Sequence, residues 1–306
     1  MNRPTPAELL IPYRFDEPTL DDPPPPSESP DRRIGTILGE LRGLSDTQID
    51  KVVALQHKRG FRFGEAAVAL GFARSEDVLW ALSQQFGYPY SPASKQQLST
   101  ELVVATEPFS PRAEAFRAVR SQLTMRLNGE GEPKRALAVV SADSGDGKTY
   151  FAANIAVALS QIGGRTLLID ADLRNPRQHE VFGLDNGAGL STVLSGRDSQ
   201  SAVHNVRQLP SLFVLPVGPT PPNPLELVER PACAMLLRDL LGAFDHVVVD
   251  TPAAAHGSDP IVIAARCGAA LAVARKGRSC VAPLQSLVGM LGQTRAKLAG
   301  VVMNEY

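Results

Sequence analysis

Residues 141–159 read SADSGDGKTYFAANIAVAL, and this stretch decides the fold. It follows the apolar run ALAVVS (136–141) and opens a stretch with helical patterning, so it joins a strand to a helix. Gly145, Gly147, Lys148 and Thr149 have the form of the end of a phosphate-binding loop. Glycines there let backbone N–H groups curl around phosphate oxygens; the lysine reaches the terminal phosphates and the threonine hydroxyl suits magnesium. Ser144, Asp146 and Tyr150 complete the expected lining. The usual pattern has glycine where Ala142 stands, but the strand–loop–helix context is the one the motif requires.

Further apolar runs follow: TLLID (166–170), LFVLP (212–216), HVVVD (246–250), ALAVA (270–274) and AGVVM (299–303). Helical stretches alternate with them at 148–162, 225–242, 260–266 and 281–297. This order predicts an α/β fold, a mainly parallel sheet covered by helices, with ligands at the carboxyl ends of the strands. Aspartates stand at those ends. LLIDADLRNP places Asp170 and Asp172 two residues apart, able to face one side, and FDHVVVDTPA ends a buried strand in Asp250. An unpaired carboxylate in such a place is costly, which points to a metal ion as its partner.

Upstream, nine of the 25 prolines fall in residues 1–30, so this segment reads as a disordered proline-rich arm. Residues 31–90 carry an internal repeat. RIGTILGELRGLSDTQIDKVVALQ (33–56) and RFGEAAVALGFARSEDVLWALSQQ (62–85) share Arg, Gly and Gln at an offset of 29 residues. Each copy reads as helix, turn, helix, with Ser45 and Ser75 as N-caps and Gly71 at the second turn, where the first copy has Arg42. Residues 91–110 are expected to be a linker, and Ser110–Pro111 starts a helix whose buried face is Phe116, Val119, Leu123 and Leu127.

The 306 residues suit about two domains. Lys plus Arg (31) nearly balances Asp plus Glu (32), which argues against a nucleic-acid polymer as partner. Three cysteines without CxxC spacing fit buried thiols in a reducing, cytoplasmic compartment. The most apolar stretch, residues 261–274, is too short to span a bilayer and contains Arg266.

Two family resemblances follow from these motifs. The repeat resembles the N-terminal domain of type II secretion and type IV pilus assembly ATPases, whose paired motif binds cyclic di-GMP. That implies Arg33, Gly35, Gln56, Arg62, Gly64 and Gln85 as ligand residues, with a docking module as the alternative. Residues 111–306, through SGDGKT, LLIDADLRNP, GLSTVLSG, LPVGPTPPNPLELV and FDHVVVDTP, resemble the bacterial tyrosine kinases of capsule and exopolysaccharide synthesis. Related partition ATPases carry a lysine where Asp143 stands.

The kinase resemblance implies ATP and Mg2+ as cofactors, with Lys148 and the Gly145–Gly147 backbone on the phosphates and Thr149, Asp250 and Asp170 around the metal. It implies that Asp170 or Asp172 acts on the acceptor tyrosine, and that Asn304 meets the adenine. Glu114, Arg117 and Arg120 match the family's E-x-x-R-x-x-R helix of homo-oligomerisation. The implied partner is a membrane chain-length determinant, a polysaccharide co-polymerase that recruits the chain to the inner face of the membrane. The family's C-terminal tyrosine cluster is missing; Tyr306 is the one tyrosine beyond Tyr150, so Tyr306 or a partner protein is the expected phosphoacceptor. A P-loop switch that hydrolyses ATP without phosphorylating protein is the alternative.

Overall fold

The structure, a computed structural model, describes residues 34–86, 98–108, 110–127, 132–197 and 202–305. The proline-rich arm, Arg33 and Tyr306 lie outside the described residues, as does the side chain of Gln85.

Four helices make the N-terminal unit: α1 (Ile34–Arg42), α2 (Asp46–Arg59), α3 (Phe63–Ala69) and α4 (Ser75–Phe86). Ile37, Leu38, Val52, Ala66, Ala67, Val78 and Ala81 form its buried core, which is built of small and medium side chains. At the start of α2, the Ser45 N–H donates to Gln48 Oε1 at 2.9 Å, part of the expected cap. Ser75 is not the cap of α4. Asp77 Oδ2 accepts the Arg74 N–H at 2.6 Å, so the helix begins one residue earlier than the serine suggests. The missing turn glycine of the first copy is also present. Gly43 has φ +60° and Gly71 φ +72°, so the two turns match once α1 is allowed its longer run.

Next come α5 (Val103–Thr106) and α6 (Pro111–Leu127), then the alternating part: β1 (Ala136–Val140), α7 (Lys148–Ser160), β2 (Thr166–Asp170), α8 (Gln178–Phe182), α9 (Leu190–Leu194), β3 (His204–Asn205), β4 (Leu212–Leu215), α10 (Pro224–Glu229), α11 (Pro231–Ala243), β5 (His246–Asp250), α12 (Asp259–Cys267), β6 (Gly268–Arg275), α13 (Val281–Gly292) and β7 (Lys297–Asn304). Among the described residues they form one sheet in the order β3-β4-β2-β5-β1-β6-β7. Every pairing is parallel except β3 with β4. Alternate side chains enter two cores. Ala136, Ala138, Val140, Leu167, Ile169, Val247 and Val249 face the layer of α10 to α13, whereas Leu137, Val139, Leu168 and Val248 face α6 and α7.

Several expectations are corrected. The single helix over 225–242 is two, because Pro231 lacks the N–H that would continue α10 and instead opens α11. The helix expected over 281–297 ends at Gly292, where the chain turns into β7. The two-residue strand β3 carries too short a pattern to be read in advance. Within the expected linker, residues 102–105 (LVVA) are buried against α7. Asn154 on α7 pins them: its Oδ1 accepts the Val104 N–H at 3.1 Å and its Nδ2 donates to the Glu101 carbonyl at 2.8 Å. This stretch belongs to the sheet domain. Cys233 and Cys267 are buried thiols, raised above the usual range by burial, while Cys280 is exposed.

Candidate functional site

The site grows from the carboxyl end of β1. Past Ser141 the chain turns through Gly145 (φ +83°) and Gly147 (φ +94°), conformations that side-chain-bearing residues rarely adopt, and then enters α7 at Lys148. Lys148 is buried, and its Nζ donates to Ser141 Oγ at 3.0 Å. Ser141 Oγ in turn donates to the Asp143 carbonyl at 2.7 Å, so the lysine is aimed by the loop it serves. Asp146 braces the loop from inside, its Oδ2 accepting the Asp143 N–H at 3.1 Å and its Oδ1 the Ser279 hydroxyl at 2.6 Å.

Sheet order brings the aspartates to this loop. β5 lies between β1 and β2, and Asp250 is in register with Val139 on one side and Asp170 on the other. Two carboxylates therefore end adjacent strands, both buried. Asp170 is well provided with donors: Oδ1 accepts the Asp172 N–H at 3.1 Å, and Oδ2 accepts the N–H groups of Arg177 (3.1 Å) and Gln178 (2.9 Å). Asp250 Oδ2 accepts Gln178 Nε2 at 2.9 Å, and the Thr149 side chain lies beside this carboxylate and favours its charged form. Its Oδ1 has no hydrogen-bond partner among the described residues.

Electrostatics express the same crowding. Burial, then the charge of Asp250, pushes Asp170 well above the ordinary carboxylate range. Burial pushes Asp250 up to about 6, with Lys148, Gln178 and Thr149 pulling the other way. Two buried carboxylates, an orphaned oxygen and a threonine hydroxyl form a hard-oxygen set suited to Mg2+. Asp172 stands apart. It is just under the surface, and its Oδ1 accepts the N–H groups of Arg174 (3.2 Å) and Asn175 (2.9 Å).

The other expected residues fall less uniformly. Asn304 is at the loop, its Nδ2 donating to the Asp146 carbonyl at 3.2 Å. Ser144 and Gly145 are exposed at the rim. The ring of Tyr150 packs edge-on against Phe116 of α6, with centroids 5.8 Å apart. On α6, Arg117 bonds Glu114 (3.1 Å) and the Pro108 carbonyl (2.7 Å), while Arg120 donates to the Ala158 carbonyl at 3.0 Å. Both arginines thus have work within the chain, and Glu114 is exposed.

In the helical unit, Gly35 is explained by packing: a Cβ there would come 3.2 Å from the Phe63 ring. Gly64 is buried, Gln56 is half-buried and Arg62 is exposed at the start of α3.

Four contributors escaped the sequence reading. Gln178 links Asp250 to the Thr149 carbonyl (3.1 Å), Ser279 holds Asp146, Arg275 donates to the Gly145 carbonyl (3.3 Å), and His256 contacts Ser144. Gln178 opens a helix, Arg275 ends β6, and Ser279 and His256 lie in the turns that follow strands, without a motif around them. The basic run RKGR (275–278) was the one available signal.

Comparison with known proteins agrees with this geometry. The model of the CobQ/CobB/MinD/ParA nucleotide binding domain matches residues 137–306. CapB of Staphylococcus aureus is 35% identical over 213 residues, covering 70% of this chain and 92% of that protein. Tyrosine-protein kinase YwqD of Bacillus subtilis is 31% identical over 208 residues, covering 68% and 87%. Among solved structures, the kinase domain of the Escherichia coli tyrosine kinase ETK superposes with a TM-score of 0.65 at 29% identity, covering 70% of this chain and 84% of that one. With its phosphate loop, its paired strand-end aspartates and these relatives, the chain belongs to the CobQ/CobB/MinD/ParA nucleotide-binding family and, within it, to the bacterial tyrosine-protein kinases.

Proposed function

We propose that the chain transfers the terminal phosphoryl group of ATP to tyrosine, and that this controls polysaccharide polymerisation or export. The observation that carries the reading is the buried Asp170–Asp250 pair with its orphaned Oδ1, set beside Lys148 and Thr149. A fold gains nothing from such a pair unless a cation completes it.

In this reading Lys148 and the backbone of Gly145–Gly147 hold the phosphates, with Ser144 and Asp146 shaping the loop. Thr149, Asp250 and Asp170 hold magnesium, which when bound neutralises charge on the terminal phosphates. Asp172, nearer the surface, orients the acceptor hydroxyl and draws its proton. Asn304 steadies the adenine. Phosphoryl transfer needs little else, because positioning and charge neutralisation supply most of the rate.

The acceptor is Tyr306 or a tyrosine of a partner. No helix among the described residues is long and apolar enough to cross a membrane. We assign recruitment to the inner face of the membrane to a chain-length-determinant partner, with self-association through the Glu114–Arg120 helix. The helical unit, over residues 31–90, is assigned to docking. Cyclic di-GMP is its second reading, supported by the exposed Arg62 at the start of α3.

The test is to incubate the full chain with ATP, Mg2+ and the partner's cytoplasmic segment, then map phosphotyrosine by mass spectrometry. Label absent from Lys148→Met supports the proposal. Phosphate release with no labelled protein supports the switch instead.

A further inference from the structure

The turn after β5 runs along the outside of the phosphate loop as a splint. The Ala254 N–H donates to the Ser141 carbonyl at 3.0 Å, and the Ala255 N–H to the Ala142 carbonyl at 2.9 Å. The next residue, His256, places Nε2 2.7 Å from Ser144 Oγ. Three successive residues of one segment thus meet Ser141, Ala142 and Ser144 of the other.

The same turn is anchored at its far end. Gly257 (φ +150°) leaves room for Asp259, whose Oδ2 would lie 2.8 Å from a Cβ at that position. Asp259 is buried and pairs with Arg174 Nη2 at 3.0 Å. Arg174 follows Asp172 by two residues and gives its N–H to Asp172 Oδ1. The segment from Ala254 to Asp259 therefore joins the phosphate loop to the loop that carries Asp172.

Exposed side-chain hydrogen bonds contribute little when both partners must be ordered for them alone. Here the backbone bonds of Ala254 and Ala255 already fix the backbone leading into the histidine, so its bond to Ser144 orders only the side chain. The rim at Ser144 and Gly145 is exposed; side-chain bonds from Arg275 and His256 reach it, and the Arg278 guanidinium lies against Gly145.

We propose that His256 is a positioning residue for nucleotide binding: its hydrogen bond to Ser144 holds the rim of the phosphate loop in the shape that receives the phosphates. The inference rests on the ATP-binding reading above and adds a residue that the phosphate-loop motif does not contain. A rim already in place loses less freedom when the nucleotide arrives, so the bond acts on affinity more than on turnover.

The test is a double-mutant cycle on the full chain with Mg2+, using N-methylanthraniloyl-ATP fluorescence for affinity and phosphotyrosine formation for turnover. His256→Ala and Ser144→Ala should each weaken binding roughly two- to tenfold, the scale of one hydrogen bond. The double variant should be no weaker than either single one, and turnover of His256→Ala at saturating ATP should change less than twofold. His256→Gln, which keeps a polar group at that reach, should recover part of the affinity. Additive losses, or unchanged affinity in both single variants, would overturn the proposal while leaving the kinase reading intact. Absence of nucleotide binding by the unaltered chain would remove both.

Discussion

The helical unit and the phosphate-loop sheet both carry suggestive motifs, yet the structure accounts for them in opposite ways. In the helical unit, the glycine of the first repeat makes room for Phe63, the glycine of the second is buried in a helix, and the capped helix starts satisfy their own backbone. Packing alone explains both glycines. In the sheet domain packing explains the strands but not the strand ends. Lys148, Asp170 and Asp250 are buried, two like charges adjoin, and one carboxylate oxygen is orphaned. A motif points to chemistry where its residues cost the fold something, and to architecture where they serve it.

The largest effect that could break this contrast lies at Asp250. Asp250→Asn should lower kinase activity by about 10²–10³-fold, the scale for losing one charge-stabilising group. The same variant should make the ligand-free protein more stable at neutral pH, by up to about 3 kcal/mol, because a buried carboxylate raised to about 6 opposes folding once ionised. The sign follows from the direction of the shift. A folded-state pKa above the unfolded one helps at low pH and loses that help as pH rises from about 4 through 6. Thermal melts without Mg2+ should therefore show stability falling over that range, with a shallower fall in Asp250→Asn. A variant both inactive and less stable would place Asp250 with the architectural residues.

Gly35→Ala sharpens the other side. The added methyl meets the Phe63 ring at 3.2 Å and should cost about 1–3 kcal/mol of the helical unit's stability, measured by denaturant unfolding. Kinase activity should be unchanged. Arg62→Ala should have the smallest effect, within about 0.5 kcal/mol, since the side chain is exposed. Calorimetry with cyclic di-GMP on the full chain completes the comparison. Binding lost on Arg62→Ala would move that residue to the functional class; binding absent from the unaltered chain would leave docking.

How much was legible beforehand follows the same division. Buried runs such as TLLID and HVVVD, separated by helical stretches, exposed the sheet because strands covered on both faces must be apolar. Gly145, Gly147 and Lys148 announced the loop because few other structures need that order. Strand order was not legible, so the sequence placed Asp170 and Asp250 at strand ends without showing that they are neighbours. Gln178, Ser279 and His256 act through contacts 72 to 133 residues away in the chain and carry no local pattern. The break at Pro231 was within reach, since proline cannot continue a helix; a continuous apolar pattern masked it.

In the proposed function, the costly cluster around Lys148 moves phosphate onto tyrosine. The most direct test is quantitative phosphotyrosine mapping of the full chain and its Lys148→Met variant, with ATP, Mg2+ and the partner's cytoplasmic segment present. Phosphotyrosine on Tyr306 or on the partner, absent from the variant, is the predicted result. Equal phosphotyrosine in both, or ATP consumed with no tyrosine labelled, would contradict the account.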